Sequence, residues 1–265
     1  MMKTALLTFA LALVTCASNQ SLLAVQNCND QDFNGNYGIV AHGAVTAPGF
    51  PITGPFARAG RVLADGQGNV TFETTASYNG YLFTEALTAT YSVSPDCTIV
   101  FNVQPFAPIY QNAVFKGVLS DNKRQVNFMI AEPLFQTISA VLTKQDSQVC
   151  NARSLSGPYA LHMTGNIVVA PAGLQPGEFV RVGKFVPDGK GNFSAETNAN
   201  YNGFVIRAEA LAGTFAVNAD CTVNIQYTYD GVPYTWHGAV AENGKRLEVV
   251  VAKDGFAVAG ELIGQ

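Results

Sequence analysis

The chain has 265 residues, 48% of them apolar and 13% charged, with 15 basic against 19 acidic side chains and a net charge of −4. That composition supplies a sizeable core and excludes a disordered chain. No basic cluster is present to neutralise phosphates, which argues against a nucleic-acid partner.

Residues 1–24 read as a secretory signal peptide. Met-Met-Lys is followed by the apolar run "TALLTFALALV" and by small residues at Thr15, Cys16, Ala17 and Ser18. The run is too short for a membrane span of roughly 20 residues. The expected location is secreted, either extracellular or periplasmic, and no later segment is expected to cross a membrane as a helix. Cys16 leaves with the leader, so Cys28, Cys97, Cys150 and Cys221 remain. An even count in an exported chain points to disulfides, with three connectivities to choose from. Zinc is not expected, because no cysteine pair has a close ligand spacing and only three histidines exist.

The rest of the chain is written twice. "CNDQDFNGNYGIV" from Cys28 matches "CNARSLSGPYALH" from Cys150, and "FARAGRVLADGQGNVTFETTASYNG" from Phe56 matches "FVRVGKFVPDGKGNFSAETNANYNG" from Phe179. "EALTATYSVSPDCT" from Glu85 matches "EALAGTFAVNADCT" from Glu209. The offset stays between about 120 and 124 residues, so the unit is a whole domain. Repeat 1 is placed at 28–146 and repeat 2 at 150–265.

Short runs rich in Val, Phe, Tyr and Thr alternate with turn residues, and no helical period is sustained. In repeat 1 the pattern predicts strands near 36–46, 56–64, 69–77, 81–93, 97–104, 112–119, 124–131 and 135–143. Repeat 2 predicts the same eight near 158–169, 178–186, 192–200, 204–217, 221–228, 234–241, 245–252 and 256–263. Asp-Gly and Asn-Gly pairs between them suit tight hairpins. The expected fold class is all-β, two tandem, homologous eight-stranded antiparallel up-and-down β-barrels. A sandwich is the alternative, because sequence does not show whether strands one and eight meet.

In such a barrel Cys28, before strand one, and Cys97, at the start of strand five, lie at one rim. The eight or so residues after Cys28 span up to roughly 27 Å and can cross that end as a floor. The expected bonds are therefore Cys28–Cys97 and Cys150–Cys221.

The combination of a G-x-Y strand with "PFARAGR", "DGQGN" and "YSVSPDCT" resembles a group of exported microbial proteins. Their repeats are similar in outline to the allene oxide cyclase-like barrel, a relative of the calycins. That resemblance implies a barrel that binds an apolar molecule or, in some branches, cyclises one without a cofactor.

Alternation places Arg58 on the inward face of strand two with Phe56 and Val62, and Glu85 on that of strand four with Leu87 and Tyr91. Arg181 and Glu209 repeat the arrangement. Each barrel thus holds one inward Arg and one inward Glu, read either as an ion pair that fixes register or as a polar anchor for a ligand. The long "TAPGFPITGP" and "QPFAPIYQ" loops share the rim opposite the cystine, where Phe50, Phe106 and Tyr110 give an apolar lip. Trp236 is the only tryptophan and a candidate ligand contact in repeat 2. Gly-x-Ser-x-Gly, Walker, zinc and Rossmann motifs are absent. No cofactor or metal is expected. Three functions remain: an exported binder of an apolar small molecule, a cofactor-free cyclase or isomerase, and a surface or matrix protein that uses its outer faces.

Overall fold

A computed structural model describes residues 27–46, 52–105, 112–133, 136–146 and 149–265. The expected signal peptide, Phe50, Phe106 and Tyr110 lie outside the described residues. Sixteen strands follow one another: β1 (Asn34–Val45), β2 (Gly54–Asp65), β3 (Asn69–Tyr78), β4 (Tyr81–Val93), β5 (Thr98–Val103), β6 (Ala113–Ser120), β7 (Gln125–Glu132) and β8 (Gln136–Lys144). Then come β9 (Tyr159–Ile167), β10 (Gly177–Pro187), β11 (Asn192–Tyr201), β12 (Phe204–Val217), β13 (Thr222–Tyr229), β14 (Val232–Ala241), β15 (Arg246–Val251) and β16 (Phe256–Gly264).

Each set of eight is a closed antiparallel barrel in sequence order. Closure is made by β1 with β8, from Tyr37 opposite Lys144 to Val45 opposite Gln136, and by β9 with β16. This excludes the sandwich. A closed barrel has no free edge, so its ladder hydrogen bonds are satisfied all round.

The twice-written turn is held by its own aspartate. Asp65 Oδ1 accepts from the Gln67 and Asn69 N–H groups at 2.7 and 2.9 Å, and Asn69 Nδ2 donates to Asp65 Oδ2 at 2.7 Å. Asp188 does the same for Lys190 and Asn192. Gly66 and Gly68 have φ of 72° and 96°, a region a side chain disfavours. Those contacts explain why the two pentapeptides differ only at the exposed third position.

Cys28–Cys97 and Cys150–Cys221 are the two disulfides, with sequence separations of 69 and 71. Between Cys28 and β1 the chain crosses the barrel end. Phe33 is fully buried there, its ring 4.8 Å from Tyr37, 5.0 Å from Tyr91 and 5.5 Å from Phe101. Replacing Cys28 and Cys97 together by Ser should lower stability by about 2–4 kcal/mol, since the bond closes a long loop in the unfolded chain. A urea midpoint equal to the parent's would show that the bond adds nothing.

The barrels pack side by side. Val40, Ala57 and Ala59 of barrel 1 form one buried cluster with Val250, Ala257 and Ala259 of barrel 2. Around it, Thr75 Oγ1 lies 3.0 Å from His237 Nδ1, and Arg61 reaches Asp220 at 3.5 Å. Glu248 is fully buried in this interface, opposite Gly38, where a Cβ would fall 2.6 Å from its Oε2.

Candidate functional site

Inward alternation on β2, β3 and β4 brings four polar side chains of barrel 1 to one place in a largely apolar interior. Arg58 Nη2 donates to Glu85 Oε2 at 2.6 Å and to the Tyr78 hydroxyl at 2.9 Å. That hydroxyl donates to Glu85 Oε1 at 2.8 Å, and Thr74 Oγ1 donates to Glu85 Oε2 at 3.2 Å. The guanidinium also lies over the Phe56 ring, 5.1 Å from its centroid.

Barrel 2 repeats the group on β10, β11 and β12. Arg181 Nη2 contacts Glu209 at 2.9 Å and donates to the Tyr201 hydroxyl at 2.9 Å, and Thr197 Oγ1 donates to Glu209 Oε2 at 2.7 Å. Both ion pairs are buried, with side-chain exposures of 8% and 2% in barrel 1 and 5% and 0% in barrel 2.

Burial alone would push the Arg58 guanidinium down. The Glu85 carboxylate and the Tyr78 hydroxyl reverse this, so it ends above its ordinary value and stays charged. Tyr78 is pushed well up by burial, against the opposing pull of Arg58, and stays protonated. The group is therefore a fixed charge pair with a neutral phenol bridging it.

The two copies part company beside the guanidinium. In barrel 2, Arg181 Nη1 donates to the Tyr227 hydroxyl at 3.2 Å. Tyr227 stacks on Tyr234 at 5.2 Å, and Tyr234 meets Phe256 edge-on at 5.8 Å. Strand register gives the counterparts of Tyr227, Tyr234 and Phe256 in barrel 1 as Val103, Ala113 and Gln136. The counterpart of Met163 is Ala41.

These exchanges remove three rings and leave a cavity in barrel 1 towards the end opposite the cystine. Arg58, Tyr78 and Gln136 give it one polar side, and Ala41, Val103 and Ala113 are among its apolar walls. The space open to the centre of a water-sized sphere is about 20 Å³. That is room for roughly one water molecule.

The structure thus brings Arg58 to Glu85 and Arg181 to Glu209, and Arg58 lines the barrel 1 cavity. Trp236 has no exposed surface and packs edge-on against Tyr227 at 5.4 Å, as part of the aromatic filling. Sequence reading missed Thr74, Tyr78, Thr197, Tyr201 and Tyr227. The available signal was the repeated "YNG", which puts Tyr78 and Tyr201 on the inward face of β3 and β11. Among the described residues no group of His, Cys, Asp and Glu could hold a metal ion.

No protein-family model matches the chain, and no curated protein matches it. Among solved structures, the crystal structure of the Myxococcus xanthus hemagglutinin in complex with a3,a6-mannopentaose is 11% identical. The alignment covers 85% of this chain and 98% of that one, with a TM-score of 0.18. A likeness of that size carries no weight for fold or function.

Proposed function

We propose that the protein is an exported binder of a small apolar molecule, held in barrel 1 with a hydrogen-bond acceptor directed at Arg58. The observation that carries this reading is the contrast between the copies. Barrel 2 fills the space beside its guanidinium with Tyr227, Tyr234 and Phe256, whereas barrel 1 carries Val103, Ala113 and Gln136 there. A purely structural ion pair would not need that hollow, since filling it adds buried apolar contact.

As it stands the cavity has room for roughly one water molecule, so a slender ligand, such as an aliphatic chain ending in a carboxylate or carbonyl, has to displace lining side chains to enter. The resemblance to allene oxide cyclase-like barrels implies the same class of ligand, an apolar molecule inside a barrel. The two disulfides are compatible with an extracellular or periplasmic protein. Among the described residues no helix is long and apolar enough to cross a membrane.

The cyclase or isomerase reading would use this site too, but a proton-transfer role fits Glu85 poorly. Its Oε1 is taken by Tyr78 and its Oε2 by Arg58 and Thr74.

Native mass spectrometry of protein purified from its own host should show a carried small molecule. Val103→Tyr with Ala113→Tyr, which writes the barrel 2 residues into barrel 1, should fold and lose that mass. A bare mass for the host-purified parent, or an adduct retained by the filled variant, would contradict the proposal.

A further inference from the structure

The interface inside the chain has two different sides. Barrel 1 offers the outer face of β2, with Ala57 and Ala59; barrel 2 receives it on the outer faces of β15 and β16, with Val250, Ala257 and Ala259. Because the barrels are copies, each also carries the side that the other uses. Barrel 2 has its own β2-type face on β10, and barrel 1 its own receiving face on β6, β7 and β8.

Both spare faces expose apolar residues at the matching positions. Val180 and Val182 on β10 stand where Ala57 and Ala59 stand, and are 37% and 45% exposed. Met129 and Val118 stand where Val250 and Ala239 stand, and are 60% and 42% exposed, whereas Val250 and Ala239 are fully buried.

We propose that copies of this chain associate head to tail, the β10 face of barrel 2 in one copy seating on the β6–β8 face of barrel 1 in the next. The surrounding positions keep the complementarity of the internal contact. Arg61 reaches Asp220 within the chain; their counterparts are Lys184 and Asp96, again of opposite charge and both exposed. The close approach of Glu248 to Gly38 becomes Asn127 opposite Ala160, a shorter side chain facing a slightly larger one.

His162, Thr137 and Ser139 replace Val40, Ala257 and Ala259, so the contact between copies is weaker than the internal one and depends on concentration. Two unlike faces on one chain make a heterologous contact, which grows into open chains or closes into a ring.

Sedimentation equilibrium of the disulfide-bonded protein at rising concentration should give an average mass that climbs past that of one chain. Val182→Glu disables one face and Met129→Glu the other, both at exposed sites where folding tolerates the change. Each variant alone should remain a single chain. Their equimolar mixture should form dimers and nothing larger, because one intact face of each kind is left. A single-chain mass for the parent up to on the order of 1 mM would overturn the proposal. So would either variant associating alone as strongly as the parent, which would place the contact elsewhere or make it two-fold.

Discussion

Glu85→Ala should destabilise barrel 1 by about 3–5 kcal/mol, because it leaves the Arg58 guanidinium charged and buried without its carboxylate. Tyr78 would still accept from Nη2, but Thr74 and Tyr78 would each lose the acceptor they now share. The companion test separates the charge from the shape. Arg58→Met with Glu85→Leu replaces the pair by apolar side chains that need no partners, and should recover much of the loss. In urea denaturation the single variant should unfold well before the parent and the double variant close to it. If Arg58 also anchors a ligand, the double variant folds and no longer binds. An unchanged midpoint for Glu85→Ala would mean that the carboxylate does not balance the guanidinium.

Raising the pH from about 5 to about 9 should cost the native protein about 4 kcal/mol through Glu248 alone. Burial between the barrels pushes this carboxyl up to about 8 from an ordinary value of 4.5. The Thr143 hydroxyl and Arg246 pull it down less strongly, while Glu261 and Glu242 add to the rise. Neither carboxyl oxygen completes a hydrogen bond among the described residues, nor does the Thr143 hydroxyl.

A folded-state value above the unfolded one means that the native protein holds its proton more tightly. The stabilisation is complete below pH 4.5 and is lost as the pH rises through about 8. Glu248→Gln keeps the shape of the neutral acid and removes the titration. Its stability should therefore fall much less than the parent's over this range, and at pH 9 it should be the more stable protein. Parallel pH profiles for the two would show that Glu248 ionises freely in the native state.

The architecture was legible because it rests on local signals that occur twice. Asp-Gly and Asn-Gly pairs mark the hairpins, and alternation puts Phe56, Arg58 and Val62 on one face and Glu85, Leu87 and Tyr91 on another. The cystine pairing followed from where an eight-stranded barrel puts Cys28 and Cys97. Closure itself was not legible, since the pairing of β1 with β8 joins residues about a hundred positions apart.

The cavity was hidden for a related reason. It arises from four small-for-large exchanges, Ala41, Val103, Ala113 and Gln136 against Met163, Tyr227, Tyr234 and Phe256. These lie on β1, β5, β6 and β8 in barrel 1, and only the closed barrel brings them round one guanidinium. Glu248 was invisible in another way. Outward strand positions read as solvated, and alternation cannot say which outer face a second barrel covers. The apolar outward positions Val250, Ala257 and Ala259 carried that signal, because a strand apolar on both faces is buried on both.

A methyl NMR titration with hexanoate, a slender aliphatic carboxylate, tests most directly whether barrel 1 is the binding barrel. The shifts should appear at Ala41, Ala113 and Ile138, which line the cavity beside Arg58, and leave Leu161, Met163 and Val251 of barrel 2 in place. They should vanish in the Arg58→Met, Glu85→Leu protein. Shifts confined to the barrel 2 methyls, or none in barrel 1 as hexanoate is raised, would contradict the assignment of the hollow barrel as the ligand site.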